Sequence, residues 1–221
     1  MSNFSQNIIK NHHLYKRDFI WRHEKVPYEI MIAEFMLQRT KADQVVPVYV
    51  NFLKKYPDIR SLSKAEITDI AKIIRPLGLH WRSAHFKKAA DYIISVYNGI
   101  IPSNREELLK IPGVGDYVAG VILAVSFSKK SPIVDSNIAR VLNRYYGMDL
   151  EGEIRRNKKI VEKADELFSL CNCELKELLF AIIDFSALVC TPLNPRHEIC
   201  PFKEECILYI NRYNKRYFGK S

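Results

Sequence analysis

The chain has no long apolar run, and no charged-then-apolar leader opens it, so membrane insertion and export are not expected of it. No Gly/Ser-rich stretch divides it, and no repeat of roughly 34 to 45 residues recurs. Its 221 residues therefore make one compact unit or two small lobes, long enough to bury a sizeable core. Acids are scarce: 34 Lys and Arg stand against 25 Asp and Glu, a net charge of +9. Such a surplus suits a polyanionic partner through counterion release, although alone it describes any basic protein. The five cysteines are too few and too unevenly placed for a secreted disulfide framework. The number is odd and three crowd the C-terminus, which argues for a metal site in a reducing cytosol.

What is present is a helical period almost throughout, and the expected class is all-α. Pro27 suits the first turn of a helix carrying Ile30, Met36 and Leu37, and a second helix runs through Val45 to Leu53. Ser63 and Glu66 have capping-box spacing before Ile67 to Ile74, and Pro76 and Gly78 end that helix. Further helices are expected over residues 82–97, 136–146, 157–170 and 174–188. The strand-like run VILAVSF lies inside a helical pattern and reads as buried helix.

The most informative stretch is LLKIPGVGDYVAGVI. Ser103 and Glu106 have capping-box spacing, so a short helix begins near Asn104. Pro112-Gly113 stops it, Gly115 allows a tight turn, and a second helix opens at Asp116. The N–H groups of Gly113, Val114 and Gly115 would face outward beside a helix N-terminus, a site that holds phosphate without side-chain charge. The plainer reading is a helix–helix turn with glycine breakers. Downstream, IVDSNIARVL places Asp135 in a loop before another amphipathic run, where it also suits a helix N-cap.

Two other constellations carry chemistry. The C-terminal run reads Cys190-x6-His197-x2-Cys200-x5-Cys206. Thiolates suit iron-sulfur chemistry, in which imidazole can replace a thiolate, and three cysteines with one histidine also suit structural zinc. Cys171 and Cys173 fall outside this spacing and read as free thiols. Near the N-terminus, Glu34 sits among Ile32, Ala33, Phe35 and Met36. A lone helical Glu is ordinarily solvated, but an apolar wall would favour its protonated form and let it donate to a leaving base.

The Glu34 helix, the hairpin, Asp135 and the metal spacing, in that order, resemble the helix-hairpin-helix DNA glycosylases of the endonuclease III and MutY type. The opening FIWRHEKVPYEIMIAEFMLQRTKADQVVPVY resembles that of the MutY-like and the Mig-like thymine glycosylases, and the whole pattern is most similar to the Mig-like ones. The resemblance spans about Phe19 to Cys206 and implies a two-lobed fold. A six-helix barrel lobe at 23–129 would carry the hairpin, and 1–22 with 130–221 would carry the catalytic Asp loop and the metal loop. It implies that Gln38 and Arg39 reach into the duplex and that Leu79 is an apolar wedge, with the hairpin residues and Asn137 also on DNA. It implies a [4Fe-4S] cluster at Cys190, His197, Cys200 and Cys206, with His197 replacing a usual cysteine and zinc the other option. Arg196, Phe202 and Lys203 would lie on loops around it, facing phosphates. Asp116 departs from a position usually basic or neutral, which weakens phosphate binding there.

Two residues past Gly115, bifunctional relatives have a lysine that forms a Schiff base; this chain has Tyr117. A phenol cannot form an imine, so the resemblance implies a monofunctional enzyme of base excision repair. Water would attack a flipped nucleotide, Asp135 would stabilise the cationic sugar, and Tyr117 could line the base pocket. The expected substrate is thymine or uracil mispaired with guanine in duplex DNA. The expected enzyme is a cytoplasmic, nucleoid-associated monomer. A MutY-like adenine glycosylase is the alternative, disfavoured because the chain ends soon after the metal loop, without that family's 8-oxoguanine-reading domain. A non-catalytic DNA-structure binder is the alternative of another class, and the pairing of Asp135 with Glu34 speaks against it.

Overall fold

A computed structural model describes residues 3–78 and 82–217, with side chains for 4–78 and 82–212. Leu79 lies outside the described residues. All regular structure among the described residues is helical. The chain divides into a continuous unit, Asp18–Lys129, and a split unit, Met1–Arg17 with Lys130–Ser221.

In the continuous unit α1 is absent; that helix, Asn3–Lys10, belongs to the split unit. The continuous unit holds seven helices among its described residues: α2 (Pro27–Leu37), α3 (Ala42–Lys55), α4 (Ile59–Ser63), α5 (Ile67–Ile74), α6 (Ser83–Tyr97), α7 (Arg105–Leu108) and α8 (Asp116–Phe127). Pro27 occupies the first turn of α2, where its missing N–H costs nothing. Residues Val118–Val125 of α8 are all buried, as expected for a run with no polar face. Phe86 packs edge-on against Phe35 at 5.3 Å and tilted against Phe52, tying α2, α3 and α6 into one core. Phe19 stacks on Trp21 at 5.0 Å and Trp21 meets Tyr49 of α3 edge-on. These ring contacts draw residues 18–22 into this unit, so the division falls at Arg17/Asp18 and not at 22/23.

Both capping expectations shift. The box expected from Ser63 and Glu66 ahead of Ile67 does not form, since Glu66 is itself the N-cap of α5 and makes no side-chain capping bond. A capping box stands instead one helix earlier, where the Asp58 carboxylate accepts from Ser61 N at 2.7 Å and caps α4. Ser63 is taken up in the last turn of α4, its hydroxyl donating to Arg60 O. At α7 the cap is Asn104 with Glu107, one residue on from the expected Ser103 and Glu106; Asn104 Oδ1 accepts from Glu107 N at 2.9 Å. Asn and Asp outrank Ser only slightly as caps, so spacing alone cannot choose between adjacent candidates.

The split unit is built from α1, α9 (Ser136–Tyr145), α10 (Lys158–Ser169), α11 (Leu175–Leu188) and α12 (Ile207–Tyr217). Asp184 of α11 is fully buried and holds the N-terminal segment in place. Its carboxylate accepts from Arg17 Nε at 2.6 Å and Arg17 N at 3.0 Å, and pairs with His12 Nε2 at 2.9 Å. A buried carboxylate so satisfied is tolerable, whereas removing its partners would leave a charge stranded. An aromatic cluster of Phe4, Tyr145, Phe185 and Phe202 forms the adjoining core.

Candidate functional site

In the continuous unit, α7 and α8 flank the hairpin. Leu108, Ile111 and Val114 are buried and anchor it from below. Gly113 takes φ +87°, a left-handed conformation that a side chain would strain. A Cβ there would also stand 3.2 Å from Phe35 Cζ and 3.5 Å from His85 Cβ. Gly115 differs from expectation: its backbone is extended, at φ −98°, and a Cβ would meet nothing within 4 Å. A side chain at Gly115 would therefore not disturb the turn. Val114 is not a third outward donor, because its N–H is bonded to Ile111 O and its side chain is 6% exposed. The N–H groups of Gly113 and Gly115 make no hydrogen bond among the described residues. They sit at the N-terminus of the twelve-residue helix α8, whose dipole favours an anion there.

Asp116 does not present a bare carboxylate beside these donors. Arg105 of α7 donates to Asp116 Oδ1 at 2.7 Å and to Asp116 O at 3.5 Å, clamping the two helices together. The Arg105 guanidinium thus offsets the Asp116 charge locally. Tyr117 follows, half-buried in the first turn of α8.

Gly113 touches the same Phe35 that follows Glu34, so the hairpin and the end of α2 belong to one region. Glu34 is 7% exposed, amid a helix whose Tyr28 and Ile30–Met36 are all buried. The apolar setting read from the sequence is therefore present. Gln38 and Arg39 are exposed at the turn after α2. Arg39 has φ +58°, an uncommon conformation for a non-glycine residue that costs on the order of 1 kcal/mol and is typical of functional turns. Arg82, which sequence reasoning passed over, is 6% exposed and donates from Nη1 to Phe35 O at 3.2 Å. Burial, and then the nearby Arg39 cation, push its pKa down. The pair puts two guanidinium groups beside one helix end.

In the split unit, Asp135 is the N-cap of α9. Oδ1 accepts from Asn137 N at 2.9 Å and Ile138 N at 2.7 Å, and Oδ2 accepts from Asn137 Nδ2 at 2.8 Å. A carboxylate has about four acceptor directions. Three are filled, and the fourth, on Oδ2, has no partner among the described residues. Asn137 thus acts on Asp135. Asn137 Oδ1 in turn accepts from Arg140 Nη1 at 3.0 Å, and Arg140 Nε donates to Cys190 O at 3.1 Å. One turn on, Arg144 donates to Thr191 O at 2.7 Å, to Pro192 O, and to Cys190 Sγ at 3.5 Å. The two arginines bind the cysteine loop to the helix that Asp135 caps. No local sequence pattern marks either arginine, because the carbonyls they bind lie far along the chain.

Cys190, His197, Cys200 and Cys206 line one cavity of about 380 Å³, counting its open mouth. Burial, then the neighbouring Cys190 and Cys206 thiols, push Cys200 up to about 11, and burial likewise raises Cys206. Burial, with Arg212 and Arg144 nearby, pushes His197 down. His197 Nε2 is buried with no hydrogen-bond partner among the described residues. Among the described residues no three His, Cys, Asp or Glu side chains converge tightly enough to hold a metal ion. Donors spaced around a cavity, one of them an unsatisfied imidazole nitrogen, fit a bulkier group such as an iron-sulfur cluster. Phe202, expected on the loop surface, is instead 2% exposed and packs on Phe4 and Phe185. Arg196 is exposed and Lys203 half-exposed. Cys171 and Cys173 are not free thiols; they are joined as a disulfide in the turn between α10 and α11.

The sequence profile of the HhH-GPD superfamily of base excision DNA repair proteins matches residues 32–168, which include the hairpin, Glu34 and Asp135.

The chain belongs to the HhH-GPD superfamily.

Its similarity extends beyond that profile. It is 36% identical to a thymine/uracil-DNA glycosylase of Methanothermobacter thermautotrophicus, over 88% of this chain and 87% of that one. It is 34% identical to an adenine DNA glycosylase of Buchnera aphidicola subsp. Baizongia pistaciae, over 94% of this chain but 59% of the other. A solved thermostable thymine-DNA glycosylase superposes with a TM-score of 0.88 at 34% identity, covering 94% of this chain and 95% of that one. Endonuclease III in a non-covalent DNA complex, at 22% identity and a TM-score of 0.78, shares the fold. No helix among the described residues of this superfamily member is long and apolar enough to cross a membrane.

Proposed function

We propose that this base excision repair glycosylase releases thymine or uracil mispaired with guanine in duplex DNA, with water as nucleophile and the strand left uncut. The observation that carries the reading is the 0.88 TM-score, at 34% identity, to a thymine-DNA glycosylase over nearly the whole chain. Adenine is the competing base, since the Buchnera adenine glycosylase is 34% identical, against 36% for the thymine/uracil glycosylase.

Each proposed role follows from a local geometry. Gly113 and Gly115 offer backbone donors to a phosphate at the head of α8, while Gln38 and Arg39 project from an exposed turn toward the duplex. Extrusion of the base leaves its glycosidic bond open to attack. Glu34, buried in α2, donates a proton to the departing base. Asp135 supplies a fixed negative charge to the cationic sugar, and the remaining acceptor direction on Oδ2 orients the attacking water. Tyr117 contributes a pocket wall and, lacking an amine, no Schiff base. Cys190, His197, Cys200 and Cys206 would hold an iron-sulfur cluster. That cluster would supply a rigid brace for the loop bearing Arg196 and Lys203, and no step of the reaction.

The test is a T:G duplex treated with enzyme in the presence of borohydride, with a portion heated in alkali. Strand breaks confined to the alkali-treated portion, and no enzyme–DNA adduct, are expected. Efficient trapping of a covalent adduct would overturn the monofunctional mechanism.

A further inference from the structure

Two cysteines take no part in the metal loop. Cys171 and Cys173 lie in the turn between the end of α10 at Ser169 and the start of α11 at Leu175. Their Cα atoms are 5.3 Å apart, within the range a disulfide spans, and the structure joins the two sulfurs. Cys171 is 7% exposed, whereas Cys173 is half-exposed. The same helix end has a second task. Lys130, first residue of the segment that leads to Asp135, donates from Nζ to Ser169 O at 2.6 Å. The pair is therefore two residues from the carbonyl that anchors the Asp135 segment.

We propose that Cys171 and Cys173 form a reversible dithiol–disulfide couple that exchanges with low-molecular-weight disulfides and fixes the α10–α11 turn when oxidised. The accessible Cys173 thiolate attacks one sulfur of a disulfide such as oxidised glutathione, and one glutathione thiolate leaves. The Cys171 thiolate then attacks Sγ of Cys173 and expels the second. One protein S–S bond forms and one glutathione S–S bond breaks. Two electrons and two protons pass from the protein to two glutathione thiols. The second step is favoured because the resolving thiol is already adjacent, so closure loses little chain entropy. Buried Cys171 suits the resolving role, since a mixed disulfide needs access that only Cys173 has.

The experiment uses the full-length protein with its metal loop loaded. It is reduced, freed of reductant, titrated with oxidised glutathione, denatured in iodoacetamide and digested with trypsin. The peptide spanning Ala164–Lys176 should lose both alkyl groups and weigh two hydrogens less than the unalkylated dithiol, and dithiothreitol should reverse the change. Cys171→Ser should stop at one glutathione on Cys173. Hydrogen exchange over residues 170–174 should slow in the oxidised protein. Two alkylated thiols throughout the titration, or two separate glutathiones on the wild-type peptide, would overturn the couple. Equal exchange in both states would overturn its hold on the turn.

Discussion

Replacing Asp135 by Asn separates the charge of this residue from its structural work. The side chain caps α9 through two backbone N–H bonds to Oδ1. Asn caps as well as Asp, so its carbonyl oxygen keeps both. What is lost locally is the bond from Asn137 Nδ2, which would face an amide donor in place of Oδ2. Asn137 cannot flip to repair this without releasing Arg140 from its Oδ1. One hydrogen bond of this kind is worth about 1 kcal/mol, so a modest loss of stability is expected. The catalytic loss is larger. A full positive charge on the sugar, about 4 Å from the carboxylate at an effective dielectric of about 20, is stabilised by about 4 kcal/mol. At about 1.4 kcal/mol per tenfold, base release should slow by about a thousandfold. The ground-state sugar is neutral, so duplex binding should stay nearly unchanged. Single-turnover release with enzyme in excess, anisotropy titration and a melting curve measure the three quantities separately. Equal losses of binding and of release would refute the reasoning and make Asp135 a folding residue only.

Four contrasts elsewhere follow from the same geometry. Gly113→Ala should destabilise the fold by at least about 1 kcal/mol, through its left-handed φ and the Phe35 contact, as read by thermal melting. Gly115→Ala should leave melting unchanged and weaken DNA binding, because its methyl would occupy the phosphate's path and nothing else. Asp116→Asn should free Arg105 and steepen the salt dependence of DNA binding by about one unit, while Arg105→Ala leaves a bare carboxylate and weakens binding. Cys200→Ser should lower the melting temperature of the metal-loaded protein markedly, and elemental analysis of the wild type should find iron in excess of zinc.

The all-helical class was legible because nearly every segment repeats apolar residues at the helical period, and α8 was readable despite its strand-like composition. Glu34 was readable too, since apolar neighbours on every side of one short helix leave it no solvated face. Caps were legible unevenly: Asp135 was placed, the cap of α7 fell one residue on from Ser103, and the box expected at Ser63 did not form, since neighbouring polar residues compete within a kcal/mol and tertiary packing decides among them. The hairpin's glycines were recognised but their tasks were exchanged: the left-handed backbone is at Gly113, and Gly115 merely leaves room. Phe202 was assigned to a surface that it does not reach, because a lone aromatic among loop residues has no periodicity to reveal that it points inward. Arg82, Arg140 and Arg144 were missed for a related reason. Each acts on backbone carbonyls far away in sequence, and no local pattern encodes such a bond. The pairing of Cys171 with Cys173 was likewise hidden, because two cysteines two residues apart form a bridge only if the turn between them brings their sulfurs to the same side.

The identity of the base tests the central claim most directly. Duplexes containing T:G, U:G, A:G and A:8-oxoguanine pairs are incubated with enzyme, and the free bases are separated and identified by mass. Thymine and uracil should appear from their pairs with guanine, with no adenine from either adenine-containing duplex. Adenine released in place of thymine, or no free base from any duplex, would contradict the account.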